Sequence, residues 1–368
     1  MSDRVFASPH TWRDRRHLKV LGMGAALPGP AISTADLLGH LEQRFGVNVS
    51  RCGTVVAKRL GIRARHICRD FAARREAARP GHSNPELAAA ALRTALREAG
   101  LGAGDLAYLV GHTATPARLM PPNVAQVADQ IGFAGPYMEL RQACTGFANA
   151  LVIAQGLLSA PGTRAVAIVG SETGSVYFDP QLAGEDKGQL VNLVQMGDGA
   201  AAIVLGPDDG APGARIGNTF FGQIGVGRSP GFSLAAGGSD EPSGTPGTLQ
   251  FDHDFAAVRD GGPELFAHGA AVARELGVGF DAVHHVIPHQ ANGHIAALLA
   301  PDLGIEPRRV FVNADRLGNT GSAAIWLALA ELRPLLAPGE RVAVLGAEAT
   351  KYMFGGFGYV HDSTRERA

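Results

Sequence analysis

The chain has 368 residues, of which 46% are hydrophobic and 18% are charged, and its formal net charge is −1. A chain of this length and composition can bury a sizeable core, in one large fold or in two domains. The near-neutral charge gives no global field that would attract nucleic acid or an anionic membrane, so neither is expected as a partner.

The termini and the cysteines of the chain indicate a cytoplasmic protein. The polar, basic N-terminus lacks the apolar segment of a secretory signal, and no run is long and apolar enough to span a bilayer. Cys52, Cys68 and Cys144 are widely spaced and have neither disulfide-framework spacing nor metal-ligand spacing. We therefore expect reduced thiols and no metal site.

The first part of the chain alternates strand-like and helix-like segments. Apolar runs predict strands at 17–27, 106–114, 137–141, 164–172 and 199–206. Amphipathic patterns predict helices at 33–45, 84–100, 121–132 and from Cys144 to about Ser159. Ser33 or Thr34 is expected to cap the first of these helices. The arginine-rich residues 51–82 lack such patterns and are predicted to be irregular.

The second part of the chain repeats this alternation. Helices are predicted at 263–277, 291–304 and 319–336, and strands at 282–289, 309–313, 340–349 and 355–361. Residues 225–250 are rich in Gly, Ser and Pro and predict a long loop, a kind of segment that often carries function. Two comparable halves, residues 1–207 and 208–368, predict a layered α/β architecture.

Three polar residues follow predicted strands, namely Cys144, His289 and Asn319. Active residues of open α/β folds gather at the carboxyl ends of strands, on loops that lead into helices. One interpretation is a thiolate nucleophile with two donors aimed at an oxyanion, the helix N-terminus lowering the pKa of the thiol. The alternative is a core thiol, a turn histidine and a helix-capping asparagine, and these residues alone leave both open.

Five motifs together resemble the β-ketoacyl-ACP synthase III family of the thiolase superfamily. The segment VIPHQANGHI at 286–295 is similar to the PHQAN signature of that family. The others, in family order, are GIRARHI (61–67), RQACTGFANAL (141–151), MGDGAAAIVL (196–205) and LGNTGSAAIW (317–326). The resemblance implies a five-layered αβαβα fold built from two βαβαβαββ halves and active as a homodimer.

The resemblance also implies a role for each motif residue. Cys144 matches the acyl-accepting nucleophile, and His289 and Asn319 match the pair that binds the carbonyl of the extender thioester. In the implied reaction an acyl thioester loads Cys144, a malonyl thioester loses CO2, and the resulting enolate attacks the acyl group. Neutral donors at His289 and Asn319 would stabilise the enolate oxygen, which a carboxylate would repel. Asparagine at 319 therefore favours carbon–carbon bond formation.

The oxyanion hole of the family uses the N–H of the nucleophile and that of a glycine in the closing loop. Here the aligned stretch AEATKYMFGG has Ala349 or Thr350 near that glycine. We expect the backbone N–H groups of Cys144 and Thr350 to form this site. No cofactor is implied beyond the acyl-CoA or acyl-carrier-protein thioesters that serve as substrates.

Several substrate-binding positions depart from the family pattern. Val55 and Val176 stand where the family has a CoA-stacking tryptophan and an arginine, and His294 replaces a further arginine. Arg59 and Arg63 remain near the expected tunnel mouth, although a solvated basic face is an equally good interpretation. Because charge-assisted phosphate contacts are strong, their loss predicts a weaker hold on CoA. The expected donor is an acyl carrier protein or a bulky acyl group.

Met120 lies where family members often carry an aromatic residue that reaches into the acyl pocket of the partner subunit. Methionine is unbranched and adaptable, so this position predicts room for a longer or irregular acyl chain. An ordinary interface or core residue is the alternative interpretation.

Two other functions are compatible with the sequence. An acyltransferase would use the same acyl-cysteine but pass the acyl group to an alcohol or amine, and CO2 release from a malonyl thioester separates the two reactions. A non-catalytic subunit of a heterodimeric synthase would usually lack the nucleophile. Because Cys144, His289 and Asn319 are all present, we favour the condensing enzyme.

Overall fold

The structure is a computed structural model that describes residues 10–70, 79–235 and 250–362. The strands of the first part are β1 (Thr11–Asp14), β2 (Leu18–Ala26), β3 (Ile32–Ser33), β4 (Ala64–Arg65), β5 (Tyr108–His112), β6 (Tyr137–Leu140), β7 (Val166–Glu172) and β8 (Gly199–Pro207). The helices there are α1 (Thr34–Phe45), α2 (Ser50–Leu60), α3 (Asn84–Ala99), α4 (Asn123–Ile131), α5 (Gly146–Leu158) and α6 (Lys187–Gln195).

The second part contains six strands and four helices among its described residues. The strands are β9 (Arg215–Gln223), β10 (Phe232–Ala235), β11 (Gln250–His253), β12 (His285–Pro288), β13 (Arg341–Glu348) and β14 (Met353–Val360). The helices are α7 (Phe255–Glu275), α8 (Ile295–Leu303), α9 (Ala314–Leu317) and α10 (Ala324–Leu332).

The main sheet contains the same strand order twice. In the first half-sheet the order is β6-β5-β7-β8-β2, and in the second it is β12-β13-β14-β9. Residue Val310 adds a parallel bridge to β12 in the position that corresponds to β6. Each half has parallel pairing at its outer strands and antiparallel pairing next to the junction. This repeat supports the division near residue 207, which stays a prediction.

The two half-sheets pack as separate layers around a shared helical layer. Along β7, Val166 and Ile168 face the central core, whereas Ala167 and Val169 face the outer core under α3 and α4. This alternation is the period-2 pattern of a strand that is buried on both faces. Helices α5 and α10 lie between the half-sheets, and α7 covers the outer face of the second. The described elements thus form the predicted αβαβα layers, and the thiolase-like α/β fold is confirmed.

Aromatic side chains fill the middle of the central layer. Phe147 of α5 packs edge-on against Trp326 of α10 and Phe357 of β14, with ring centroids 5.9 and 5.8 Å apart. All three side chains are almost fully buried. Edge-to-face contact of aromatic rings stabilises a fold beyond the burial of their apolar area. This cluster joins the two halves of the chain at the start of α5, the helix that follows Cys144.

Four sequence predictions require correction. Residues 50–60 form helix α2 rather than an irregular segment, because Gly53 lets α2 approach Leu38 of α1. The predicted loop at 225–250 has a strand at each end, β10 and β11, which pair antiparallel, whereas 236–249 lie outside the described residues. Helix α7 begins at 255 and runs through Pro263, and the predicted strand at 309–313 is reduced to the bridge of Val310.

Helix α3 packs closely on β2 because β2 has two glycines on the contact face. A Cβ added at Gly24 would lie 2.2 Å from the carbonyl oxygen of Ala91, and one at Gly22 would lie 2.2 Å from that of Ala95. Both atoms belong to the backbone of α3, which cannot move aside cheaply. The close approach of this outer layer therefore depends on glycine.

We predict that Gly24→Ala lowers the free energy of unfolding by about 1–3 kcal/mol, the usual cost of overpacking. Gly39→Ala is the matched control, because a Cβ there has nothing within 4 Å and lies on helix α1. It should leave stability unchanged or raise it by up to about 1 kcal/mol. Urea unfolding followed by circular dichroism measures both, and equal effects of the two substitutions would contradict the packing argument.

Candidate active site

A cavity of about 560 Å³ opens at the carboxyl ends of the strands, and Cys144, His289 and Asn319 all line it. These three residues were predicted from separate strand ends, and the structure places all of them on the lining of this cavity. The lining is mostly apolar, and much of its apolar part comes from α6, β10, α7 and α8. It includes Val191, Phe232, Leu265, Phe266, Ile295 and Leu299.

Cys144 lies in the turn between β6 and α5, two residues before the helix begins. A Cβ at Gly146 would lie 2.5 Å from Nδ1 of His112, so the first residue of α5 has to be small. His112 is buried beneath the turn, and its Nε2 accepts a hydrogen bond of 3.1 Å from Nε1 of Trp326. The turn that carries Cys144 therefore packs on His112 of the first half, which is held by a hydrogen bond from Trp326 of the second half.

A carboxyl group, and not the thiol of Cys144, accepts the hydrogen bonds at the start of α5. Oε2 of Glu348 accepts hydrogen bonds from the backbone N–H and the hydroxyl of Thr145, at 2.8 and 2.7 Å. Burial, together with the charges of Glu348 and Glu172, raises the pKa of the Cys144 thiol well above its usual value. The pKa of this thiol is thus raised, whereas the helix N-terminus was expected to lower it, and the resting Cys144 is a neutral thiol.

His289 follows β12, and its backbone N–H donates to the carbonyl oxygen of Leu345 at 2.8 Å. Burial lowers the pKa of its imidazole to about 4, so the ring is neutral at physiological pH. Nδ1 is buried and has no hydrogen-bond partner among the described residues. A neutral imidazole carries one N–H group. Because His289 lines the cavity, this N–H group can donate a hydrogen bond to a bound substrate.

Asn319 lies on a segment that runs beside the MGDG motif. Its N–H donates to the carbonyl of Gln195 at 2.8 Å, and its carbonyl accepts from the N–H of Gly197 at 3.0 Å. Oδ1 of Asn319 accepts from the N–H of Gly321 at 3.0 Å. Because Oδ1 is engaged, the amide NH2 group is the part of the side chain that remains to donate into the cavity.

The sequence interpretation missed two buried carboxyl groups beside the nucleophile, Glu172 and Glu348, which both line the cavity. Glu172 accepts from the N–H and hydroxyl of Ser322, at 3.0 and 2.9 Å, and from the hydroxyl of Thr115 at 2.5 Å. Burial raises the pKa of Glu172. Each of the two is the last residue of its strand, at the carboxyl edge of the sheet, where functional residues of α/β folds gather. This position at a strand end is the sequence signal that could have identified them.

The predicted substrate-binding residues divide between the cavity and its surroundings. Thr350 lines the cavity, but Arg59, Arg63 and His294 are exposed and do not belong to its wall as described. Arg63 forms an ion pair with Asp315, and Nε2 of His294 lies 3.1 Å from the carbonyl oxygen of residue 58. Arg59 and His294 are next in sequence to Leu60 and Ile295, which line the cavity. Any contact with substrate stays a prediction.

Met120 is 85% exposed on the loop before α4, outside the cavity of its own chain. Its neighbour Leu119 is 59% exposed. Two adjacent large apolar side chains are exposed here, and the predicted partner subunit would cover them. That role of Met120 is not tested by a single chain and stays a prediction.

Among the described residues, no group of three or more His, Cys, Asp or Glu side chains is placed to hold a metal ion. None of the helices described is long and apolar enough to cross a membrane.

Asn319 follows helix α9 rather than the predicted strand, whereas Cys144 and His289 follow β6 and β12. The two-part α/β fold, with these three residues around one cavity, defines the class of thiolase-fold condensing enzymes. Residues 138–225 match 3-oxoacyl-[acyl-carrier-protein] synthase III, and residues 273–353 match the C-terminal part of that family. A β-ketoacyl-[acyl-carrier-protein] synthase III of Rhodospirillum centenum is 30% identical over 321 residues, covering 85% of this chain and 88% of the relative. The chain belongs to the 3-oxoacyl-[acyl-carrier-protein] synthase III family.

Solved structures agree with this assignment. AbyA1, described as a tetronic acid condensing enzyme, is 29% identical with a TM-score of 0.79, covering 93% of this chain and 99% of AbyA1. The priming β-ketosynthase of the R1128 polyketide pathway is 26% identical with a TM-score of 0.76, covering 96% of this chain and 99% of that structure. The family and the fold predicted from the motifs are confirmed.

We predict that the protein loses stability as the pH falls from about 6.5 through about 4. The pKa of His289 is lowered to about 4 in the folded chain, so below its usual value of about 6.5 the unfolded chain binds a proton that the folded chain does not. His289→Gln should lose about 1–2 kcal/mol less than the wild type between pH 7 and 5.

Urea unfolding at the two pH values measures this difference. His40→Gln, at an exposed position on α1, is the control and should keep the wild-type dependence on pH. A His289→Gln variant with the wild-type dependence would contradict the neutral buried state of His289.

Proposed function

We propose that the protein catalyses a decarboxylative Claisen condensation between an acyl thioester and a malonyl thioester. The observation that carries this proposal is that Cys144, His289 and Asn319 all line the same cavity. Membership of a family of acyltransferases adds to it. No cofactor is required, because the thioester substrates supply the reacting groups.

In the first stage the sulfur of Cys144 attacks the thioester carbonyl. A tetrahedral intermediate forms, and its C–S bond to the donor breaks, leaving the acyl group on Cys144 and the donor as a thiol. The thiol proton of Cys144 has to leave as the new bond forms, and the departing thiolate of the donor can receive it. The N–H groups of Cys144 and Thr350 are the proposed donors to the oxyanion.

In the second stage a malonyl thioester loses CO2 and becomes an enolate. Negative charge develops on its thioester oxygen, and two neutral donors stabilise that charge without competing for a proton. His289 suits this task because burial keeps its imidazole neutral. Asn319 suits it because Oδ1 is tied to Gly321 and the NH2 group is left to donate. The enolate carbon then attacks the carbonyl carbon of the acyl group. The C–S bond to Cys144 breaks, the β-keto thioester leaves, and the released Cys144 thiolate takes up a proton from water.

The acyl donor proposed is a carrier-protein thioester or a bulky acyl-CoA. The mostly apolar lining of the cavity can bind a large acyl group, and Val55, in the position of the family's tryptophan, offers no ring to stack on adenine. AbyA1 is described as a tetronic acid condensing enzyme and the R1128 enzyme as a polyketide priming ketosynthase. These likenesses favour a specialised pathway over general fatty-acid initiation.

A second candidate function is acyl transfer from Cys144 to an alcohol, and the two buried carboxyl groups favour it. An alcohol has to lose a proton when it attacks the acyl group, and Glu172 or Glu348 lies in the same cavity as the acyl-cysteine. The enolate of the main proposal needs no such acceptor, because loss of CO2 generates it. The two functions differ in one product, the CO2 released from a malonyl thioester.

A cytoplasmic homodimer is part of the proposal. Strand β6 ends the first half-sheet, and Tyr137 on it is 42% exposed. An exposed edge strand is a site at which a second sheet can pair. The exposed Leu119 and Met120 follow β5, the strand next to β6. A partner subunit on this side would cover all of these groups.

We predict that Cys144 is acylated by carrier-protein or bulky acyl thioesters and that Cys144→Ala is not. His289→Ala and Asn319→Ala should still be acylated but release CO2 from a malonyl thioester at least about 100-fold more slowly, since they remove donors to the enolate. Intact-protein mass spectrometry reports acylation, and trapped CO2 reports decarboxylation.

Three results would argue against parts of this proposal. Acylation without CO2 release by the wild type, together with ester formation from an alcohol, would favour the acyltransferase. Ready loading by acetyl-CoA alone would contradict the proposed donor. Absence of acylation by any thioester would contradict the function itself.

We predict that Met120→Phe narrows the range of acyl chains that load Cys144, because a rigid ring would occupy space that a flexible side chain leaves open. A panel of acyl thioesters of increasing length, competed in one reaction, measures the preference. Leu119→Phe, one residue away and also exposed, is the matched control. An unchanged profile for Met120→Phe would exclude Met120 from the acyl pocket.

A further inference from the structure

Glu348 has no role in the two stages proposed above, yet its carboxyl group joins two segments of the active site. The side chain is buried, with 2% of the residue exposed, at the end of β13. Oε2 accepts both hydrogen bonds from Thr145, and Oε1 accepts one from the hydroxyl of Thr350. One carboxylate thus binds the residue after Cys144 and a residue of the segment that follows β13.

Both segments carry groups on which acyl transfer depends. The turn before α5 carries the thiol and the N–H of Cys144, and residue 350 carries the second N–H of the proposed oxyanion hole. The latter segment lacks the glycine of the family pattern and has Ala349 and Thr350 instead. On its outer side it is held by a hydrogen bond of 3.1 Å from the N–H of Gly231 to the carbonyl of Ala349.

We propose that Glu348 is a positioning residue that fastens the turn of Cys144 to the segment of Thr350 and thereby sets the spacing of the two oxyanion donors. This assignment rests on the proposed function, because the oxyanion donors belong to it. Glu348 accepts two hydrogen bonds from Thr145 and one from Thr350. Its loss would therefore release the two segments from each other without removing an apolar side chain from the core.

The charge of Glu348 has a second consequence, which acts on the nucleophile. A negative charge beside a thiol disfavours the thiolate, and the charge of Glu348 contributes to raising the pKa of Cys144. The other titratable groups around this thiol are Glu172, on the same cavity, and the neutral His289 and His112. Removing the charge of Glu348 alone should therefore lower the pKa of the thiol, with Glu172 still opposing ionisation.

The test compares Glu348→Gln, which can keep the bonds to Thr145 but has no charge, with Glu348→Ala, which loses both. The first readout is the rate at which iodoacetamide alkylates Cys144 as a function of pH. Mass spectrometry follows the peptide that contains Cys144, because the exposed Cys52 would be alkylated as well. For Glu348→Gln the midpoint should move down by about one pH unit. Glu340→Gln, at the opposite end of β13, should keep the wild-type midpoint.

The second readout is hydrogen exchange in the peptide that contains Thr145. Exchange should be faster in Glu348→Ala than in the wild type, and close to wild type in Glu348→Gln. The third readout is the rate of acylation, for which Glu348→Ala should lose about 10–100-fold in kcat/KM and Glu348→Gln much less. Thermal unfolding of each variant establishes that the chain is folded.

An alkylation midpoint that does not move in Glu348→Gln would overturn the electrostatic part of the proposal. Unchanged exchange at Thr145 in Glu348→Ala would overturn the positioning part. If no thioester loads the wild type, the proposed function fails by itself, while alkylation and exchange, which need no substrate, still decide the role of Glu348.

Discussion

The active site depends on one close passage of backbone between the two halves of the chain. The segment 317–319 runs beside the segment 195–197, and a Cβ at Gly197 would lie 1.9 Å from the carbonyl oxygen of Leu317. No other residue type fits there, and Gly318 adds a left-handed φ of 71°. This passage brings Asn319 beside the end of α6 at the cavity that both halves line. Gly197 of MGDG and Gly318 of LGNTG are thus explained by packing rather than by chemistry.

The electrostatics of the cavity follow from burial. The imidazole of His289 is neutral because it is buried, and the thiol of Cys144 is neutral because it is buried and faces two carboxyl groups. A resting site without a thiolate–imidazolium pair is protected from adventitious alkylation and oxidation. In the proposed function, the thiol of Cys144 therefore loses its proton only during reaction with the acyl donor, whose departing thiolate can receive it.

The sequence was sufficient for the elements with strong local signals. Helix α3 agrees with its prediction because its start has a capping box at Ser83 and its end has Gly100 in the left-handed region. Helix α2 was missed because its packing uses Gly53, a residue that locally disfavours a helix. Beyond local signals, the motifs gave Cys144, His289 and Asn319. They did not give Glu172 and Glu348, because only tertiary assembly buries a carboxyl group at a strand end and completes its hydrogen bonds.

The His112–Trp326 hydrogen bond, beneath the turn of Cys144, joins a side chain from β5 to one from α10. The height of the thiol above the sheet is therefore set by residues that meet only when the whole chain has assembled. A chain emerging from the ribosome contains Cys144 long before it contains Trp326, His289 or Glu348. Until these residues arrive, its cysteine is an ordinary thiol in an unfinished fold. The contacts around Cys144 are therefore complete only when residues from both halves of the chain are in place.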